Sequence, residues 1–290
     1  MKRVLLAAVV LFVGLGAVAP TPGSTAFEVH KVDQAALIPT GNKPIFVLVM
    51  GQDARPGDTQ SRGDALHVIG INPAAGKATI LNIPRDTWTD VPGHGIDKIN
   101  TGHYYGGPTL EAKAVSELIG IDIPIVLSTS FQGLSDMVDE LGGVDVNVPV
   151  AMDDSFSGAV FPAGPVKMDG GAALAFARNR HLTGNDFTRT QDQAILILAG
   201  LAKLRSSQPS AVNTLKWMSV LARHTTLDGI SLANLYQLGR LALSIDPANV
   251  RTATMPGTTG SAANQSVVFV GDGAPALFAD FRDDALLEHN

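Results

Sequence analysis

Cysteine is absent from the 290 residues, which excludes disulfides, thiol nucleophiles and cysteine-ligated zinc or iron–sulfur centres. Charge is sparse at 17%, with a net value of −6. A broad nucleic-acid surface, basic as a rule, is therefore excluded too. No Gly-x-x-x-x-Gly-Lys-Ser/Thr loop occurs, and no Gly-x-Gly-x-x-Gly follows a strand pattern, so nucleotide-phosphate loops find no support. No Gly-x-Ser-x-Gly elbow is present either. The seven histidines show no metal-ligand spacing, and His67, inside an apolar run, reads as a core or sheet-face residue. Apolar material is plentiful at 45%, enough for a sizeable core.

Met1, Lys2 and Arg3 precede an apolar run from Val4 to Ala19. Such a start fits either a secretory signal or a retained membrane anchor; a spanning helix needs about 20 apolar residues, with a lower bound near 17. Ala17-Val18-Ala19 and Ser24-Thr25-Ala26 are two candidate cleavage points. Both readings export the bulk of the chain. We divide it into a signal or anchor at 1–26, a linker at 27–43 and one catalytic-size domain at 44–290.

Within that domain, apolar runs predict strands at 45–50, 65–71, 78–83, 125–128, 144–148, 250–255 and 266–270. Asn72-Pro73-Ala74-Ala75-Gly76 reads as a hairpin turn between the second and third. Helical spacing is seen at 110–119, 131–141, 169–177, 188–204, 211–222, 232–243 and 274–287, with Asp169 as an N-cap. This alternation predicts a single α/β domain in which a mixed central sheet is flanked by helices.

Twelve arginines occur, and six of them fall in three short clusters near predicted element ends. These are Arg55 and Arg62; Arg85; and Arg178, Arg180 and Arg189. Loops at element ends are where α/β folds gather their sites. The guanidinium fork matches phosphate oxygens and keeps its charge at any working pH. In an acidic, charge-poor chain this distribution points to an anion site. Arg178 and Arg180 share a face only on extended chain, so a common site requires the helix to end by about Ala177. Arg189 and Gln193 share a face of the following helix. Asp186, just before that helix in this reading, serves as a cap or a base. Asp53 and Asp64 are either turn caps paired with neighbouring arginines or two carboxylates converging on one magnesium ion, which takes one or two carboxylates and phosphate oxygens.

The ordered set Gly51-Gln52-Asp53-Ala54-Arg55, Arg62-Gly63-Asp64, Ile83-Pro84-Arg85-Asp86, Lys98-Ile99-Asn100, Gly106-Gly107, Leu141-Gly142-Gly143-Val144, Ala173 to Arg180 and Asp186-Phe187-Thr188-Arg189 resembles the LytR-CpsA-Psr family, from about Phe46 to Leu201. The resemblance implies transfer of a glycopolymer from a polyprenyl-pyrophosphate carrier to cell-wall peptidoglycan or a related acceptor. It implies Mg2+ assistance, attachment to the membrane with the domain outside the cytoplasm, and an apolar cavity for the lipid. Asp53 and Asp64 resemble the metal carboxylates, and Arg62, Arg85, Arg178, Arg180 and Arg189 the pyrophosphate-binding arginines. Gln193 matches a family glutamine; Arg55, Lys98 and Asn100 join the binding set, and Asp186 is the candidate base. A hydrolase using water as acceptor, and a non-catalytic regulator or carrier sensor, are the competing readings. Asp192 departs from the family pattern and is expected to point away from bound pyrophosphate. The cavity is expected between sheet and helices, lined by Val115, Leu118, Leu134, Val138, Ile195 and Leu198.

Overall fold

The computed structural model describes residues 27–32, 43–52, 61–179, 186–206, 225–228 and 230–287. Its strands are β1 (Phe27–Lys31), β2 (Ile45–Gln52), β3 (Gly63–Asn72), β4 (Lys77–Asn82), β5 (Trp88–Val91), β6 (Gly95–Lys98), β7 (Ile125–Ser130), β8 (Val144–Val148), β9 (Met152–Asp154), β10 (Ala159–Phe161), β11 (Gly164–Met168), β12 (Thr225–Asp228), β13 (Val250–Thr254), β14 (Gly257–Ala262) and β15 (Gln265–Val270). The described helices are α1 (Thr101–Ile119), α2 (Phe131–Glu140), α3 (Gly170–Arg178), α4 (Asp186–Ser206), α5 (Leu232–Ser244) and α6 (Ala274–Asp284).

Seven strands form the central sheet in the order β12-β1-β7-β2-β3-β4-β13. The sheet is mixed: β2 lies parallel to β7 and antiparallel to β3, and β13 runs parallel to β4. The hairpin expected at 72–76 joins β3 to β4. Side-chain alternation divides the sheet into two faces. Leu48, Met50, Leu66, Val68, Leu81 and Ile83 pack with Ala112, Val115 and Ile119 of α1 and Phe278 and Phe281 of α6. The opposite face carries Val47 and Ile125 against Leu235 and Leu238 of α5, with Ile71 and Ala78 beside it.

Two expectations are corrected. The stretch at 27–43 is not simply a linker: Phe27–Lys31 is a strand between β7 and β12, so the folded domain begins upstream of residue 44. Its short run, FEVHK, mixes charge with apolar residues because the strand lies one place from the sheet edge. The strand expected at 266–270 is present and pairs with β14 in a separate two-stranded ribbon. The helix expected at 110–119 starts earlier, at Thr101, and is broken at Gly106 and Gly107, where Gly107 has φ 70°; that backbone favours glycine. The helix expected at 211–222 and the N-terminal segment 1–26 lie outside the described residues.

Asp169 caps α3 as expected, its carboxylate accepting from the Ala172 N–H at 2.8 Å. Among the described residues no helix is long and apolar enough to cross a membrane.

Candidate functional site

Pro84 ends β4 and Thr87 closes the turn that follows, its hydroxyl and its N–H both donating to the Pro84 carbonyl at 2.6 and 3.0 Å. Arg85 is thereby held at the strand tip. Its guanidinium pairs with Asp64 at the start of β3 and lies 4.0 Å from the Asp186 carboxylate. Asp186 opens α4, and one turn later Arg189 reaches back to it at 2.7 Å. Asp64, Arg85, Asp186 and Arg189 thus form one alternating network at the end of the sheet. Arg189 is 2% exposed and Asp64 8%. Charges so withdrawn from water retain strong electrostatic reach, because solvent screens them poorly.

Around the network the remaining expected residues take varied positions. Lys98 pairs with Asp86 at 3.2 Å, directly beside Arg85. Asn100 is buried, and its side-chain amide donates to the Gly63 carbonyl at 3.1 Å, so it ties α1 to the start of β3. Gln193 donates to the Ala177 carbonyl at 3.1 Å and joins α4 to α3. Arg62 is exposed beside Asp64. Arg178 does not join the others in an ion pair. It is exposed, with its guanidinium 4.9 Å from the centre of the Phe131 ring. Its helix ends one residue later than expected, with Asn179 leaving helical geometry at ψ 130°. Asp53, Arg55 and Arg180 lie outside the described residues.

Asp192 is not turned out to solvent. It is 2% exposed, and burial pushes its carboxyl up to about 7. Two further polar groups were not assigned roles from sequence. His67 pairs across strands with Asn82, its Nδ1 lying 2.7 Å from Asn82 Oδ1. That oxygen only accepts, so Nδ1 carries the proton. Burial lowers the imidazole to about 4, opposed by its hydrogen bond to Asn82. Glu111 is fully buried and neither carboxyl oxygen has a hydrogen-bond partner among the described residues; burial holds it well above the ordinary carboxylate range. The side chain fills the space Gly63 leaves, for a Cβ there would stand 2.3 Å from its Oε1. A signal for it was present: Glu111 falls three, four and seven residues before Ala114, Val115 and Leu118, on the apolar stripe of the helix.

The expected lipid cavity cannot have the lining proposed for it. Val115 and Leu118 belong to the α1 side of the sheet, whereas Leu134, Val138 and Ile195 pack with α3 and β8. On the α4 and α5 side the described residues cover the middle of the sheet incompletely. Val49, Ile69 and Leu127 sit on inner strands in adjacent register yet remain only half-buried. This apolar, partly open surface runs up to His67 and the arginine network.

The fold is a mixed-sheet α/β domain that sets Arg85 and the buried Arg189 among carboxylates at one sheet end. The LytR-CpsA-Psr family profile matches residues 21–277, and the chain belongs to that family. The teichoic acid–peptidoglycan transferase TagT of Bacillus subtilis is 35% identical over 176 residues, 57% of this chain and 54% of that protein. The chain thus matches about half the length of that relative. Among solved structures, Bacillus subtilis TagV superposes with a TM-score of 0.70 at 24% identity, covering 85% of this chain and 98% of that one. TagT with bound octaprenyl pyrophosphate superposes with a TM-score of 0.66 at 24% identity, covering 93% and 99%.

Proposed function

We propose that this protein transfers a glycopolymer, as its sugar phosphate, from a polyprenyl-pyrophosphate carrier to peptidoglycan or a related cell-wall acceptor. The observation that carries the reading is the Asp64–Arg85–Asp186–Arg189 network, set where a half-buried apolar sheet face ends. A pyrophosphate seated there places its charge against fixed guanidinium forks, and the prenyl chain follows the apolar surface of Val49, Ile69 and Leu127. Relatives named as teichoic acid transferases and a neighbour holding octaprenyl pyrophosphate support the same assignment.

The acceptor hydroxyl oxygen forms a bond to the sugar-linked phosphorus, and the bridging P–O bond breaks. Polyprenyl phosphate leaves with the bridging oxygen. Arg85 and Arg189 stabilise the charge that gathers on that leaving group; removing one such donor raises the barrier by roughly 3 kcal/mol. Asp186 is the candidate acceptor for the hydroxyl proton: its Oδ1 is engaged by Arg189, whereas its Oδ2 has no hydrogen-bond partner among the described residues. Both competing carboxylates therefore have distinct work, Asp64 orienting Arg85 and Asp186 holding Arg189.

Magnesium fits this donor set in a limited way. Among the described residues no three carboxylate or imidazole groups cluster as a cage. Magnesium needs only one or two carboxylates when phosphate oxygens complete its shell. Asp64 would hold it, with Asp53 beside it from the family pattern, and the ion would supply charge neutralisation at the pyrophosphate. The apolar run at 4–19, preceded by Lys2 and Arg3, supports membrane attachment with the domain outside the cytoplasm.

The test supplies purified protein with a polyprenyl-pyrophosphate-linked glycan, with and without a peptidoglycan acceptor. Acceptor-dependent release of polyprenyl phosphate is expected. Release at the same rate without acceptor indicates hydrolysis instead, and no release refutes the assignment.

A further inference from the structure

The β5–β6 hairpin and the first segment of α1 carry aromatic rings that the network above does not use. His94, at the hairpin tip, stacks on Tyr105 with ring centroids 4.1 Å apart and planes 4° from parallel. Tyr104 meets Tyr105 edge to face at 5.5 Å. The rings hold one another in place, yet Tyr104 is 42% exposed and Tyr105 47%. Beside them Ile96 stands out from β6, 65% exposed. A preorganised apolar patch with polar groups at its edge marks a binding surface. The helix breaks directly after Tyr105, at Gly106 and Gly107, so the chain turns away and leaves the rings uncovered.

This platform is continuous with the phosphate site. The Asn100 N–H donates to the Arg85 carbonyl at 3.3 Å, and Tyr105 follows five residues later, about 7.5 Å along the helix. Lys98, two residues before Asn100, pairs with Asp86, the residue after Arg85. The platform also stands on the appropriate side. The half-buried apolar surface suited to the prenyl chain faces α4 and α5, whereas α1 beyond its break packs on the opposite sheet face, and the rings precede that segment directly. In-line displacement at phosphorus brings the entering oxygen opposite the leaving group, so acceptor and lipid must approach from different sides.

We propose that His94, Tyr104 and Tyr105 form the subsite for the acceptor glycan. It takes an uncharged β-linked aminosugar strand, whose axial C–H groups pack on the ring faces while its hydroxyls reach the polar edge at Lys98 and Asp86. The assignment rests on the transferase reading. Exposed tyrosines also suit a membrane interface, which the experiment separates.

The full chain is titrated with a β-linked N-acetylglucosamine oligomer, with polyprenyl pyrophosphate, and with anionic phospholipid vesicles, for wild type, Tyr105→Ala, Tyr104→Ala and Tyr105→Phe. The alanine variants are expected to bind the oligomer about tenfold more weakly, with lipid affinity and thermal midpoint unchanged, while Tyr105→Phe binds as wild type. Equal oligomer affinity in wild type and alanine variants, or no oligomer binding by wild type, overturns the proposal. So does a loss in the variants confined to vesicle binding. Wild type that binds the oligomer but not polyprenyl pyrophosphate would instead overturn the transferase reading and leave the sugar subsite standing.

Discussion

Stability in mild acid should depend on His67. Burial lowers its imidazole from 6.5 to about 4 in the fold. At roughly 1.4 kcal/mol per factor of ten in proton affinity, that difference amounts to about 3 kcal/mol. Between those two pH values the unfolded chain binds a proton that the folded chain refuses, so stability is complete above pH 6.5 and falls as pH drops towards 4. Asp192 acts in the opposite direction. Burial raises it to about 7, so its contribution is complete below the ordinary carboxylate range and is lost as pH rises through 7. The two slopes partly cancel in the wild type, and a comparison of variants separates them. Urea unfolding of wild type and His67→Gln at pH 7 and pH 5 is the assay. Over that interval the wild type should lose about 2 kcal/mol more than the variant. Parallel curves would refute the reasoning, because they would mean that the imidazole titrates alike in folded and unfolded chains.

Asp192→Asn should remove the decline in stability between about pH 4 and 7, read from the same urea midpoints; an unchanged slope counts against a buried neutral carboxyl. Gly63→Ala drives a methyl into the Glu111 carboxyl, with an expected loss of about 1–3 kcal/mol, and Gly63→Ala combined with Glu111→Ala should lose less than the sum of the two. Asp169→Ala removes the cap of α3 and should lower stability by about 1 kcal/mol without changing activity. Asp64→Asn should reduce transfer and weaken both its dependence on magnesium and the binding of magnesium measured calorimetrically; wild-type transfer that survives full chelation sinks the metal role.

The sequence by itself determined the class of fold and the chemistry at its centre. Short continuous apolar runs specify β2, β3 and β4 because these inner strands are packed on both faces of the sheet, and Asn72 to Gly76 fixes the hairpin between β3 and β4 through local turn chemistry. Arg85 and Arg189 stood out because a charge-poor chain spends few guanidinium groups on empty surface, and both sit at element ends. Other features needed the tertiary structure. Phe27–Lys31 is too short and too mixed to declare itself a strand; it becomes one through hydrogen bonds to β7 and β12. The separation of Val115 from Val138 depends on which sheet face each helix covers, which helical periodicity does not encode. Arg178 and Arg189 were equivalent on paper, yet one lies over Phe131 in solvent and the other is buried against Asp186. Three-dimensional packing decides such partners, because an ion pair is made by whichever carboxylate the fold delivers within reach, and sequence distance does not measure that.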